Sequence, residues 1–131
     1  MKKILFILSL AFALNATAQT SVDEINLIQD LYGKSKADVV KEYLSLSDAQ
    51  AAAFQPIYDK YETERKALSQ QKILILEDYG KNYTTLSDAK ATELTSKNLK
   101  YNQDSEKLLA KTHSKLVKAI GGINAAKFVE L

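Results

Sequence analysis

The sequence has no cysteine and no tryptophan, and in 131 residues it has one proline, one histidine and four glycines. Without cysteine there is no disulfide, no thiolate nucleophile and no attachment point for a lipid-anchored lipoprotein. His113 cannot assemble a metal site alone; set near Lys111 and Lys115, it is expected at a helix surface or edge. Neither a G-x-S-x-G elbow nor a glycine-rich phosphate loop occurs, and Gly121-Gly122 reads as a helix break. The carboxylate pairs Glu62/Glu64 and Glu77/Asp78 sit among lysines and read as solvated faces. No enzyme activity, cofactor or metal is therefore expected. Alternating β-branched runs between turn clusters are missing too, and a chain rich in Ala, Leu, Lys, Glu and Gln reads as helix.

The first twenty residues have a different character. Lys2 and Lys3 precede an apolar run from Ile4 to Leu14 interrupted only by Ser9, and Ala16-Thr17-Ala18 offers small residues for cleavage. This order is that of a secretory signal peptide, and the run is shorter than the roughly 20 residues a bilayer span needs. Residues 1–18 are expected to be removed and residues 19–131 to form a single helical domain in the periplasm, with no membrane span in the mature chain. Its charge is then near zero, with 16 basic residues against 16 acidic ones. Nucleic-acid binders carry a basic excess or stripe; neither is evident here, so no nucleic-acid partner is expected.

Helix starts are marked by capping chemistry. Ser21 with Glu24 fits a capping box and opens a helix carrying Val22, Ile25, Ile28 and Leu31, with Leu27 and Tyr32 beside them, that ends at Gly33. Ser35 caps a short helix with Ala37, Val40, Tyr43 and Leu44. Ser47 with Gln50 is a further box, with Leu46 at the staple position and Asp48 following; Ser87 with Leu86 and Asp88 repeats the start. Asn124 is expected to cap a last short helix. The helix over 48–80 would span roughly 50 Å, with Phe54, Tyr61, Leu68 and Ile75 at heptad spacing and Tyr58 and Tyr79 flanking that seam. Pro56 lies inside it, removes one hydrogen bond and is expected to bend it. The helix over 88–119 carries Leu94, Tyr101, Leu108, Leu109, Leu116 and Ile120. The expected fold is all-α: a long antiparallel helical hairpin, bent at Pro56, turning near 81–86, with short flanking helices packed against its ends.

A shift of 40 residues aligns the sequence with itself: Leu46-Ser47-Asp48-Ala49 on Leu86-Ser87-Asp88-Ala89, Lys60-Tyr61 on Lys100-Tyr101, and Leu68 on Leu108. Leu46-Ser47-Asp48-Ala49-Gln50 resembles the L-T-x-x-Q motif of the Spy/CpxP family, which carries it twice, each copy opening a long helix. The second copy, Leu86-Ser87-Asp88-Ala89-Lys90, has lysine for glutamine and so lacks the reach-back acceptor. The resemblance covers roughly residues 36–120. It implies a bent helical hairpin that dimerises into a thin cradle, and a periplasmic protein that acts as an ATP-independent chaperone or modulates envelope stress signalling. Some relatives are linked to metal resistance. The near-neutral mature chain departs from the basic surface such a cradle would carry.

The expected function is therefore an ATP-independent, chaperone-like envelope protein that holds unfolded clients, with a homodimer as the expected assembly. The alternatives are docking or signalling modulation with one specific envelope partner and, less favoured, a metal-responsive protein. The candidate client or dimer surface comprises Phe54, Tyr58, Tyr61, Ile73, Leu76, Tyr79 and Tyr101. Ile73-Leu74-Ile75-Leu76 covers about 300° of a helix, more than one partner helix can bury, so core or dimer interface is its expected place. Lys60, Lys66, Lys72 and Lys81 interleave with the tyrosines and could attract acidic client segments. The motif residues Leu46, Ser47, Asp48, Gln50, Leu86, Ser87 and Asp88 are expected to be structural.

Overall fold

A computed structural model describes residues 26–30, 32 and 36–131. Segment 1–18, expected to be a signal peptide, and the expected helix ends at Ser21, Glu24, Gly33 and Ser35 lie outside the described residues. The chain divides into two compact units, Met1–Lys36 and Ala37–Leu131. In the smaller one, 26–30 are helical, Leu27, Ile28 and Tyr32 are exposed, and the Lys36 ammonium lies 6.0 Å from the Tyr32 ring centroid.

The larger unit contains residues 37–44 of α1 (residues 36–44), α2 (Asp48–Asn82), a 3₁₀ turn (Tyr83–Thr85), α3 (Asp88–Ile120) and α4 (Gly122–Glu130). No strand occurs among the described residues. Ser45 closes α1 at φ 50°: its N–H donates to the Glu42 carbonyl (3.0 Å) and that of Leu46 to the Lys41 carbonyl (3.4 Å). That is a Schellman closure, with serine where glycine is usual. It delivers the chain directly to Ser47, where α2 starts. The α2 helix runs without interruption through Pro56. The hydrogen bond lost there is the one to the Ala52 carbonyl, and both residues are exposed, so water can take its place.

The α2 and α3 helices form the antiparallel hairpin. Cross-helix contacts pair Glu64 with Lys111, Lys72 with Asn98 and Asp78 with Lys90, so partner numbers fall on α3 as they rise on α2. Gly121 then reverses the chain at φ 85° and ψ 162°, a region open essentially to glycine. Its N–H donates to the Val117 carbonyl and its carbonyl accepts from Ala125, so one residue ends α3 and starts α4. The last helix therefore begins at Gly122, not at Asn124. An asparagine cap is unnecessary where glycine supplies both the turn and the carbonyl.

The main core sits at the open end of the hairpin. Ala37, Val40 and Leu44 of α1, Phe54 and Tyr58 of α2, Leu116 and Ile120 of α3, and Ala125 and Phe128 of α4 form one cluster. Phe128 meets Phe54, Tyr58 and Tyr61 edge-on at 6.0, 6.3 and 5.5 Å, and Phe54 stacks on Tyr58 at 5.3 Å. Away from this end burial thins out: from Thr63 to Lys107, Leu94 alone is buried.

Candidate functional site

The two motif copies do different jobs. At Ser47 the full capping box forms: the Gln50 N–H donates to Ser47 Oγ (3.2 Å) and the Ser47 N–H to Gln50 Oε1 (3.1 Å). Asp48 adds an acid to the first turn, where the helix dipole favours it, and Leu46 packs half-buried against the core. At Ser87 only half the box forms, with the Lys90 N–H donating to Ser87 Oγ at 3.1 Å; Asp88 again occupies the first turn. The Lys90 side chain crosses to α2 and pairs with Asp78 at 2.7 Å, while also reaching Glu93 at 3.3 Å. The departure from glutamine thus converts a local cap into a tie across the hairpin tip. The hydrogen bond from Lys90 holds Asp78 below the ordinary aspartate range, and the same bond raises Lys90. Leu86, beside the second cap, is exposed.

The residues grouped as a client or dimer surface separate. Phe54 and Tyr58 are 0% and 2% exposed, so the aromatic cluster consumes them and neither can meet a partner in this fold. Tyr61 and Tyr101 are half-buried. Burial raises the Tyr61 phenol, opposed in part by the Arg65 charge. The Tyr101 ring lies 5.4 Å from the Lys72 ammonium, which also donates to Asn98, so Lys72 works inside the hairpin. The aliphatic girdle divides as well. Ile73 and Ile75 are half-buried, but Leu74 and Leu76 are 63% and 56% exposed, so half of it lies outside the core. At 100° per residue, Leu76 and Tyr79 fall within about 60° of one another on one flank of α2, continued by Tyr83 at the start of the 3₁₀ turn, with Leu74 on the opposite flank. Tyr79 and Tyr83 are exposed and meet edge-on at 5.8 Å. Leu99 of α3 is exposed too.

Of the carboxylate pairs expected on solvated faces, Glu77 is exposed and Glu64 and Asp78 are half-exposed, and Glu62 alone departs. Glu62 is 7% exposed and takes a two-point contact from Arg65, Nε to Oε1 at 3.0 Å and Nη2 to Oε2 at 2.8 Å. A fork of this kind is what lets a carboxylate leave water, and the hydrogen bonds that Arg65 donates to Glu62 raise the pKa of the guanidinium. Glu64 accepts from Lys111 at 2.9 Å, and that bond lowers its pKa. The spacing of Glu62 and Arg65, three apart on a helix, was the available signal.

A second correction concerns charge. Lys90, Lys97, Lys100, Lys107, Lys111, Lys115 and Lys118 are all the lysines of α3. At 100° per residue they fall within about 100° of arc, while Asp88, Glu106 and His113 lie on another flank. The α3 helix therefore does carry a basic stripe, which a whole-chain count averages away. His113 is half-buried and lines a shallow apolar groove with Leu109, Ala126 and Val129.

Among the described residues no group of three or more His, Asp or Glu side chains is placed to hold a metal ion, and no helix is long and apolar enough to cross a membrane. What the distal hairpin offers is contact surface: exposed leucine and tyrosine beside lysine. No protein-family model, curated protein or solved structure matches the chain.

Proposed function

We propose that the protein is a non-enzymatic, ATP-independent binder of unfolded clients in the periplasm, and that the distal half of the hairpin makes the contact. The observation that carries this reading is the mismatch between apolar content and burial there. Leu74, Leu76, Tyr79, Tyr83 and Leu99 are 44–66% exposed, on a stretch where Leu94 alone is buried. Leu76, Tyr79 and Tyr83 lie together on one flank and Leu74 on the other, and grouped apolar exposure of this kind marks an interaction site. Tyrosine suits brief contacts, because its ring is apolar and its hydroxyl stays wet. The anchoring core lies at the other end, so clients can be held and released without disturbing it.

The test is aggregation suppression, without ATP, of two unrelated denatured proteins followed by light scattering. The wild-type chain is expected to suppress both at near-stoichiometric ratio. A variant carrying Leu74→Ser, Leu76→Ser and Tyr79→Ser, with unchanged helical circular dichroism, is expected to lose that effect. A folded wild-type protein that suppresses neither would overturn the reading and leave docking on one specific envelope partner as the use of this surface.

A further inference from the structure

We propose that the lysine ridge of α3 adsorbs the protein to an anionic lipid surface. This rests on charge and not on client binding: the two surfaces meet only where Leu74 lines one groove with Lys97 and Lys100, and the ridge extends from the tip to the core end.

The ridge is long and strongly one-signed. From Lys90 to Lys118 it covers about 42 Å of helix. It contains seven lysines and, in the same arc, two carboxylates, Glu93 and Asp104, for a net charge of +5; from α2, Asp78 and Glu64 pair with Lys90 and Lys111, which leaves +3, against +2 for the full chain. Both carboxylates pair with ridge lysines, Glu93 with Lys97 at 2.6 Å and Asp104 with Lys100 at 2.7 Å. Exposed pairs of this kind are weak, so those ammonium groups remain available to a stronger field. On the adjoining flank of α2, Glu64 is surrounded by Lys60, Lys111 and Lys115, all of which lower its pKa.

The chemistry favours a diffuse anionic surface over an individual ligand. The ridge uses lysine throughout, a hydrated point charge on a flexible stem. Arginine, whose fork recognises single phosphates and carboxylates, occurs once in the chain, as Arg65, and there it is engaged by Glu62. The lysines succeed one another at steps of 7, 3, 7, 4, 4 and 3 residues, with no constant repeat to match a polymer backbone. A bilayer needs no register and no ordering of a flexible partner. Attraction of each lysine to an anionic leaflet adds to the next and fades within a Debye length, so a straight ridge brings many charges within range together. Because the apolar side of α3 packs on α2, attachment is by charge and not by insertion.

The experiment is co-sedimentation of the full chain with phosphatidylcholine vesicles, with and without roughly one part in three of phosphatidylglycerol, at about 0.05 M and about 0.5 M salt. Lys107→Gln, Lys115→Gln and Lys118→Gln together are compared with an equal charge loss off the ridge, Lys41→Gln, Lys66→Gln and Lys127→Gln. The apolar N-terminal run is common to all proteins and both vesicles. To read orientation independently of it, Ser114→Cys, beside the ridge, or Asn102→Cys, across the helix, carries a fluorophore; the chain has no thiol of its own. The expected result is salt-sensitive binding to the anionic vesicles that falls several-fold for the ridge variant only, with a headgroup quencher dimming Ser114 and sparing Asn102. Equal losses for the two variants, or equal quenching at the two positions, would overturn the proposal. So would binding to polyglutamate or DNA without binding to vesicles, which would reassign the ridge to a chain-like polyanion.

Discussion

Phe128→Ala tests whether α4 is held by one ring. Phe128 is 6% exposed and meets three aromatic rings at 5.5–6.3 Å. Truncating a buried phenylalanine costs about 3–5 kcal/mol through lost transfer energy and the cavity left behind. That is a large share of the roughly 5–15 kcal/mol that stabilises a domain. The α4 helix has 9 residues, too few to be helical alone in water, so loss of the ring also releases the segment that carries the buried Ala125. With a urea slope of about 1–3 kcal/mol per molar, the unfolding midpoint is expected to fall by about 2 M, read by far-ultraviolet circular dichroism. Val129→Ala on the same helix, at 40% exposure, should change stability by no more than about 0.5 kcal/mol. If Phe128→Ala shifted the midpoint no more than Val129→Ala, the core would not be where it is placed here.

Ser47→Ala should cost about 1 kcal/mol in urea unfolding by removing a two-way cap, and more than Ser87→Ala, whose cap is one-way. Gly121→Ala is expected to cost about 1–3 kcal/mol, because the backbone there is closed to side chains although there is room for a Cβ. Gly80→Ala, with space around it inside α2, should instead raise the thermal midpoint by removing an interior helix glycine, worth about 0.5–1 kcal/mol. The Lys90–Asp78 tie has a defined pH window. The lowered Asp78 stabilises the tip above the ordinary aspartate value, about 3.9, and that stability is lost as pH falls through its lower folded value. The raised Lys90 stabilises it below the ordinary lysine value, about 10.4, and that stability is lost as pH rises through its higher folded value. Hydrogen-exchange protection around residues 83–92 should be flat between these limits and drop outside them, and Asp78→Asn should weaken the acid limb.

Local chemistry was the most legible part of the sequence. The starts of α2 and α3 at Asp48 and Asp88 follow from Ser47 and Ser87, because a cap spans four residues and needs no tertiary partner. The hairpin follows from two long helices and a short polar turn, which here is partly the extra turn to Asn82 and the 3₁₀ segment. Tertiary choice was less legible. Heptad spacing put Phe54 and Tyr61 on one seam with Ile75, but only the open end receives α1 and α4 to cover that seam. Whether a leucine such as Leu76 is covered depends on which helices reach it, and periodicity cannot say. The stripe on α3 was present as spacing, yet total charge concealed it: acids elsewhere on the chain cancel a ridge without standing on it.

The separation of core from tip also bears on how the sequence can change. Substitutions at Leu74, Leu76, Tyr79 or Leu99 touch little that folding depends on, since these side chains are already largely in water. A lineage could vary the exposed tip while the Phe54–Tyr58–Phe128 cluster preserves the scaffold, so the tip's surface and the chain's foldability would evolve under nearly independent selection.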